Sequence, residues 1–488
     1  MLRHLASFPR TAALFALAAL VACGGGESTT PAVPPGAPAS IHFVSGGGQG
    51  DTARAILRDP VVVEVVDSAG RLVRVAPVTF TALGTDAAFC ANTSVESCVP
   101  DVYQDSAFAG RASIRVRLSR VAGTIRIRVS VPGTMFADTA TLTVRPAAPA
   151  LLAVAPADSS AYAGNSYRVT GRVLDQYGNV RRDDAVNFTG SSAVATISAD
   201  GEFRAQAVGR AFALARSGSL VDTAWITVPP RGTIAAMEPF PAGGAQIVKV
   251  ELDGSGFKRL APVSDTYYGT MPDWISSSEI AFDNGGYNVE RILVVDTLGI
   301  LRRLTAEGTP TWAEGFVAGA PDGAVYFDAM SGSDYGTAIW KVSAPGAMPV
   351  RVGPNPHGNA NAWQATVAPD GQRLAYVDVN RGGLSILDVV TGGMTPLNIA
   401  ATTPRWSPSG DWIVFGAGGT LHLVHPDGIG QTDVAGARPF TLRADWSPDA
   451  AWLIVRSASR LELIDMKSGA ILPLGWSGGL IRPVFRRE

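Results

Sequence analysis

The segment RWSPSGDWIVFG, beginning at Arg405, returns forty residues later as DWSPDAAWLIVR, beginning at Asp445. Both read as an aromatic anchor, a tight turn, and an apolar triplet. Ser/Ala-Pro-Asp-Gly suits a type I turn, because Pro fixes φ at the second position and Gly fits the fourth. The same plan recurs at Ala320-Pro-Asp-Gly and Ala368-Pro-Asp-Gly. Triplets follow at Ile280-Ala-Phe282, Val325-Tyr-Phe327, Leu374-Ala-Tyr376, Ile413-Val-Phe415 and Leu453-Ile-Val455. A third strand of Leu-x-Leu type occurs six times, as IVKVEL, RILVVD, AIWKVS, LSILDV, LHLVHP and LELIDM. Anchors Val367, Trp406, Trp446 and Phe485 are spaced by about forty residues, the length of one propeller blade. Such a sheet cannot bury both faces alone, and stacking in a ring solves that. The first unit (GTIAAME, IVKVEL, FKRL) lacks an innermost strand, while the last segment, IRPVFRRE, supplies one with no blade after it. Pro483-Val-Phe485 matches Pro404-Arg-Trp406. The expectation is a six-bladed ring whose C-terminal strand completes the first blade, with an open or seven-bladed ring as the rival.

Residues 230–488 are similar to the TolB-type, WD-like propeller repeats. The last three units match well, and the first three depart from Trp-Ser-Pro-Asp-Gly. The resemblance implies the fold. It implies little about function, since such propellers serve as interaction platforms, enzyme gates and lyase scaffolds.

A second repeat precedes the ring. Val65–Phe80 aligns with Val173–Phe188, each unit later carries Gly-Arg-Ala (Gly110, Gly209), and each closes with Asp-Thr-Ala-x-x-Thr-Val (Asp138–Val144, Asp222–Val228). Asp67-Ser-Ala-Gly70 and Asp175-Gln-Tyr-Gly178 read as type I turns, a reading preferred to calcium ligation because each Asp has a local partner to make. Alternation such as Ala140, Leu142 and Val144 against polar neighbours indicates half-buried strands, about seven per unit. The Asp-x-x-Gly turn followed by Val-x-Phe resembles bacterial immunoglobulin-like domains of invasin and intimin type. This implies two Ig-like sandwiches, residues 39–146 and 147–229, acting mostly as spacers. The whole chain is therefore expected to be all-β.

The first 23 residues carry Arg3 and Arg10, then a mostly apolar run from Thr11 to Ala22, too short for a mature membrane helix but right for a secretory signal. It ends Leu20-Val-Ala-Cys23, which resembles the bacterial lipobox. Cys23 matches the acylated position, and Gly24 after it implies outer-membrane sorting, with the mature chain facing the periplasm or the cell surface. Residues 24–38, rich in Gly and Pro, read as a tether. In an exported chain the remaining cysteines, Cys90 and Cys98, are expected to pair as a loop staple.

Forty Lys+Arg against 42 Asp+Glu leave a net charge of −2, so nothing points to nucleic acid. A propeller that caps a serine peptidase needs a Gly-x-Ser-x-Gly elbow, an acid and a His on a following α/β domain; no such elbow is expected here, and the repeats run to the last residues. His422 and His425, three apart on a strand, face opposite ways and make a poor metal pair. No cofactor or metal is expected. Ligand-binding candidates are the loops leading into innermost strands: Asp265, Tyr267 and Tyr268 in one, and His357, Asn359, Asn361 and Trp363 in another. Tyr and Trp offer rigid contact area, and Asn offers hydrogen bonds. The expectation is a non-catalytic, lipid-anchored envelope protein that binds a protein or glycan. The alternatives are a propeller-based glycan lyase or hydrolase, and a TolB-like periplasmic scaffold.

Overall fold

The computed structural model describes residues 36–190, 192–241, 243–263, 271–284, 292–306, 311–331, 334–353, 361–438 and 443–487. Among them the chain is all-β, with three short 3-10 turns. No helix among the described residues is long and apolar enough to cross a membrane. Two compact units are present, one ending at Ala147 and one running from Ala148 to Glu488.

In the first unit, strict alternation puts one face of each strand inside. Val61, Val63 and Val65 are buried while Val62, Glu64 and Val66 are less so. The ladder runs Ser40–Ser45, Val61–Val66, Arg111–Arg117, Val102–Phe108, Val75–Leu83, Gly123–Ser130, Ala137–Arg145 and Gly50–Thr52. With two short strands off this path it has ten strands, more than the seven expected, because the strands hydrogen-bond in one path around a shared core. Phe80, Ile127, Val129 and Leu142 lie in that core. Cys90 and Cys98 are disulfide-bonded opposite each other across the hairpin Ala88–Cys90/Cys98–Pro100.

The second unit begins with a smaller sandwich that repeats the first in detail. Asp67 Oδ1 accepts from the backbone N–H of Ala69 and Arg71, and Asp175 Oδ1 from Tyr177 and Asn179. Asp138 accepts from Phe43 N, and Asp222 from Val154 N. Short strands Gly50–Thr52 and Asp158–Ser160 lie parallel to the closing strands Ala137–Arg145 and Leu220–Val228. The repeated aspartates therefore tie turns and first strands, which explains their spacing in the sequence.

Six four-stranded antiparallel sheets follow, each from consecutive strands except the first. There, Ile481–Phe485 pairs with Thr233–Pro239, Ile234 opposite Phe485 and Ala235 opposite Val484. The ring is thus six-bladed and closed by the C-terminal strand. Its cores lie between blades. Trp406 packs with Ala368, Ala375 and Leu384 of the preceding blade, and Trp446 with Val414 and Leu421. Trp476, following the last strand of blade six, donates to Leu252 O of blade one (3.0 Å). Gly254, at φ +89°, leaves room for its indole; a Cβ there would meet Trp476 at 2.9 Å.

The second sandwich is seated on the ring through Tyr162. Its hydroxyl donates to Gly232 O (2.9 Å) and accepts from Leu252 N (2.9 Å). Its ring joins the core formed by Ile234, Val250, Leu463 and Phe485. Burial raises its pKa, so the hydroxyl stays protonated and able to donate. Arg231 lies over the ring, and Thr227 donates to Pro473 O (2.7 Å).

Two predictions follow from this packing. Deleting residues 481–488 removes Val484 and Phe485, each contributing about 1.5–3 kcal/mol of burial. The melting temperature is expected to fall by on the order of 10 °C; an unchanged melting curve would show that the ring does not depend on this strand. Tyr162→Phe removes the hydroxyl's bonds to Gly232 and Leu252, which still bond each other, and is expected to cost about 0.5–1.5 kcal/mol in urea unfolding.

Candidate functional site at the turn-side mouth of the channel

All innermost strands run in the same direction, so the turns after them gather at one mouth of the central channel. Why they are tight is visible locally. Ser407 Oγ accepts from Trp412 N (3.1 Å) and Ser447 Oγ from Trp452 N (2.9 Å), while the fourth turn residue bonds back to the first. That fourth residue has positive φ in each case: Gly323 at 81°, Gly371 at 70°, Gly410 at 79° and Ala450 at 56°. A type I turn closed by a left-handed residue explains the Gly in the motif.

These turns enclose a cavity of about 580 Å³. Its rim carries Pro321, Pro369, Pro408 and Pro448, one from each of four successive blades. Its wall includes Trp274, Trp406, Trp446 and Phe485, and its charged lining is Asp322, Arg405, Asp445, Arg486 and Arg487. The indole N–H groups of Trp274 and Trp406 are buried with no hydrogen-bond partner among the described residues.

The floor is a buried ion network. Arg405 of blade five reaches Asp273 of blade two, its opposite in a ring of six, at 3.1 Å. It also lies 3.7 Å from Asp445, and Arg487 lies 3.3 Å from Asp273. Arg405 lines both this cavity and a small recess on the other side, bordered by Gln364, Thr403 and Arg443, so the bridge partitions the channel. The carboxylates also join blades. Asp273 accepts from Gly319 N (3.1 Å), and Asp445 from Phe485 N (2.7 Å). Thr366 accepts from Trp406 N (3.4 Å) in the same way. Burial opposes the charge of Arg405, and the two aspartates more than offset it, raising its pKa. Burial pushes the Asp445 carboxyl up to about 6, with Asp273 adding to the rise and Arg405 opposing it.

On the far side of the bridge, Phe316, Gln364, Thr403 and Arg482 have φ of 33°, 58°, 46° and 53°, each at a bulge of an innermost strand. Left-handed backbone at non-glycine residues costs roughly 1–2 kcal/mol each. Gln364 Oε1 accepts from Thr403 N (2.7 Å), so one bulge helps hold the next.

Of the binding candidates read from the sequence, Asp265, Tyr267, Tyr268, His357 and Asn359, like Cys23, lie outside the described residues. Asn361 is half-buried and accepts from Thr337 Oγ1 at 3.5 Å. Trp363 is 39% exposed, near the start of the innermost strand Ala362–Val367, at the end away from the cavity. The described cavity thus lies at the opposite end of the innermost strand Ala362–Val367 from Trp363. Asp273, Arg405 and Asp445 were passed over in the sequence because a charge directly before an aromatic anchor reads as an ordinary strand residue, and Arg487 because it follows the last strand. His422 is spent on Asp433 (2.8 Å) and Ala417 O, and His425 stacks on Trp412. One motif went unnoticed: Gly475-Trp-Ser-Gly-Gly479 fits Gly-x-Ser-x-Gly. It is no nucleophile elbow, for Ser477 is buried in a 3-10 turn, accepting from Leu461 N (2.8 Å) and donating to Leu474 O (2.6 Å).

Fold and site together define an all-β protein with a six-bladed propeller whose channel is barred by ion pairs. Compared with family models and with curated proteins, the chain matches none. Among solved structures it is similar to TolB from Acinetobacter baumannii, with 15% identity over 62% of this chain and 83% of that one, TM-score 0.43. It is also similar to an oligogalacturonate lyase in complex with manganese, at 9% over 59% and 84%, TM-score 0.35. A third is the Escherichia coli adhesin FdeC, at 14% over 66% and 99%, TM-score 0.29.

The raised Asp445 pKa has a consequence for stability. The folded state holds this proton more tightly than the unfolded chain, whose Asp titrates near 3.9. Asp445 therefore contributes stability that is complete below about pH 4 and lost as pH rises through about 6. Relative to Asp445→Asn, which keeps an acceptor for Phe485 N, the native chain should gain about 2–3 kcal/mol between pH 7 and pH 4. Urea unfolding of both at the two pH values checks this; parallel pH profiles would exclude it.

Proposed function

We propose that the chain is a non-catalytic, lipid-anchored binding protein of the cell envelope, in which the sandwiches serve as spacers and the propeller meets a protein or glycan. The observation that carries the reading is the cavity at the turn-side mouth. Its floor charges, Arg487 among them, are committed to ion pairs and backbone groups, leaving a rim of four prolines, aromatic walls and Arg486 as contact surface. Rigid apolar groups beside a few fixed charges are what a binding pocket needs. The envelope location is supported by the lipobox-like Leu20–Cys23 and the Gly/Pro-rich stretch after it.

One observation favours the enzymatic alternative. A carboxyl that titrates near 6 inside a cavity is suited to general acid–base work on a glycan. Turnover of envelope or plant polysaccharide by the full chain, lost in Asp445→Asn, would replace the binding reading.

The test of the binding reading is photo-crosslinking in the native host, with a benzophenone amino acid at Pro369 or Pro408 and, as a control, at exposed Val390. A discrete partner captured from the two rim positions and not from Val390 is the expected result. Equal or no capture at all three would reject the cavity as a binding site. Peptidoglycan-associated partners would define a periplasmic scaffold, and extracellular protein or glycan a surface binder.

A further inference from the structure

We propose that one end of the first sandwich is a lipid-contact surface, with Phe108, Met135 and Phe136 entering the headgroup layer of the bilayer that anchors the chain. The proposal rests on the lipid-anchor reading of Cys23 for bringing this end to a membrane.

Strand register fixes which loops share an end. Ser40 lies opposite Val66, and the turn after Val66 holds Gly36, whose N–H donates to Asp67 Oδ2 (2.9 Å). That bond and those from Arg71 hold the Asp67 carboxyl well below the usual range, so the N-terminal segment is fastened here by a lasting charge. Glu64 lies opposite Arg111, which places the turn 108–111 at the same end. Val75 lies opposite Phe108. Ser130 lies opposite Ala137 and Thr79, so the turn 131–136 joins them. Phe43 N bonds Asp138, confirming that the first strand starts beside this turn. The chain therefore enters the sandwich at this end. It runs out at the other, where Arg145 lies opposite Thr52.

The end where the tether joins carries the unit's exposed aromatic and Met side chains. Met135 is 96% exposed, Phe108 68% and Val75 56%, with Leu72 and Phe136 also exposed. At the opposite end the exposed apolar residues include Val95, Val99 and Val121, with no aromatic or Met among the exposed large hydrophobics there. Aromatic and Met side chains at loop tips lose more apolar area to a lipid interface than valines do. The acids near this end are engaged: Asp67 by Arg71 and backbone, Glu64 by Arg111, and Asp138 by Phe43 N. Arg74 is exposed between Leu72 and Val75. An apolar fringe beside an exposed arginine, Arg74, suits a lipid interface, where the side chain reaches the headgroups. The lipid surface is favoured over another occupant because residues 24–35 would lead from Cys23 to Gly36, which brings this end, and not the other, to the bilayer.

The test uses the full chain with a benzophenone amino acid in place of Met135, or of Val121 at the far end, purified from membranes and reconstituted into vesicles of phosphatidylethanolamine with phosphatidylglycerol. Illumination is expected to give lipid adducts at position 135 at several-fold the yield at 121. Phe108→Asp combined with the label at 135 should lower that yield several-fold. Equal yields at 135 and 121, or adducts at 135 to a second copy of the chain, would overturn the proposal. Mass analysis of the N-terminal peptide in the same sample separates the two readings. An acylated chain without lipid adducts at 135 overturns the contact surface and leaves the anchor standing. An unacylated chain with such adducts keeps the surface and overturns the anchor.

Discussion

The propeller depends on one constraint: a four-stranded sheet with two apolar faces is stable only between neighbours. Six such sheets satisfy each other when the ring closes, and closure rests on the strand Ile481–Phe485 beside Thr233–Pro239. Around the channel the same need is met by polar groups. The innermost strands would leave amides facing one another, and Asp273, Thr366 and Asp445 each supply an oxygen to the next blade's strand. Burying these carboxylates is costly unless a cation accompanies them. Arg405 and Arg487 fill that role, and in doing so Arg405 bars the channel.

The cavity is thus a by-product of ring closure that acquires a distinct chemical character. Its floor is held by pairs that stabilise the ring, and its rim is set by turns whose Ser and Pro fix their shape. Exchanging a rim residue alters the surface of the mouth. Exchanging a floor residue alters the ring itself. That division lets contact properties vary without loosening the scaffold.

The ring was legible because its determinants are local and repeated. Anchor, turn and triplet recur at a fixed spacing, and the unmatched strand at each end of the repeat announced the closure between Ile234 and Phe485. The sandwich repeat was legible for the same reason: Asp67 and Asp175 bind their own turns within four residues. The ten-stranded sheet of the first unit was not, since links between strands far apart in the chain, such as Val61 to Ile114, depend on tertiary packing. Nor was the charged floor. Arg405 and Asp273 are 132 positions apart, and no spacing rule relates them. The bulges at Gln364 and Thr403 went unseen because neither residue type signals positive φ. Ser477 shows the converse, a motif in the letters that the fold uses only to bind backbone.

The closing strand also sets a schedule. Ala235 meets Val484 some 250 residues after it has been synthesised. Until then the inner edge of blade one presents unsatisfied amides, and Tyr162 has only part of the core it will join. A stalled or clipped chain is left with an open sheet edge, the feature that invites pairing with other chains. The residues that close the ring therefore also remove the last open edge of its first sheet.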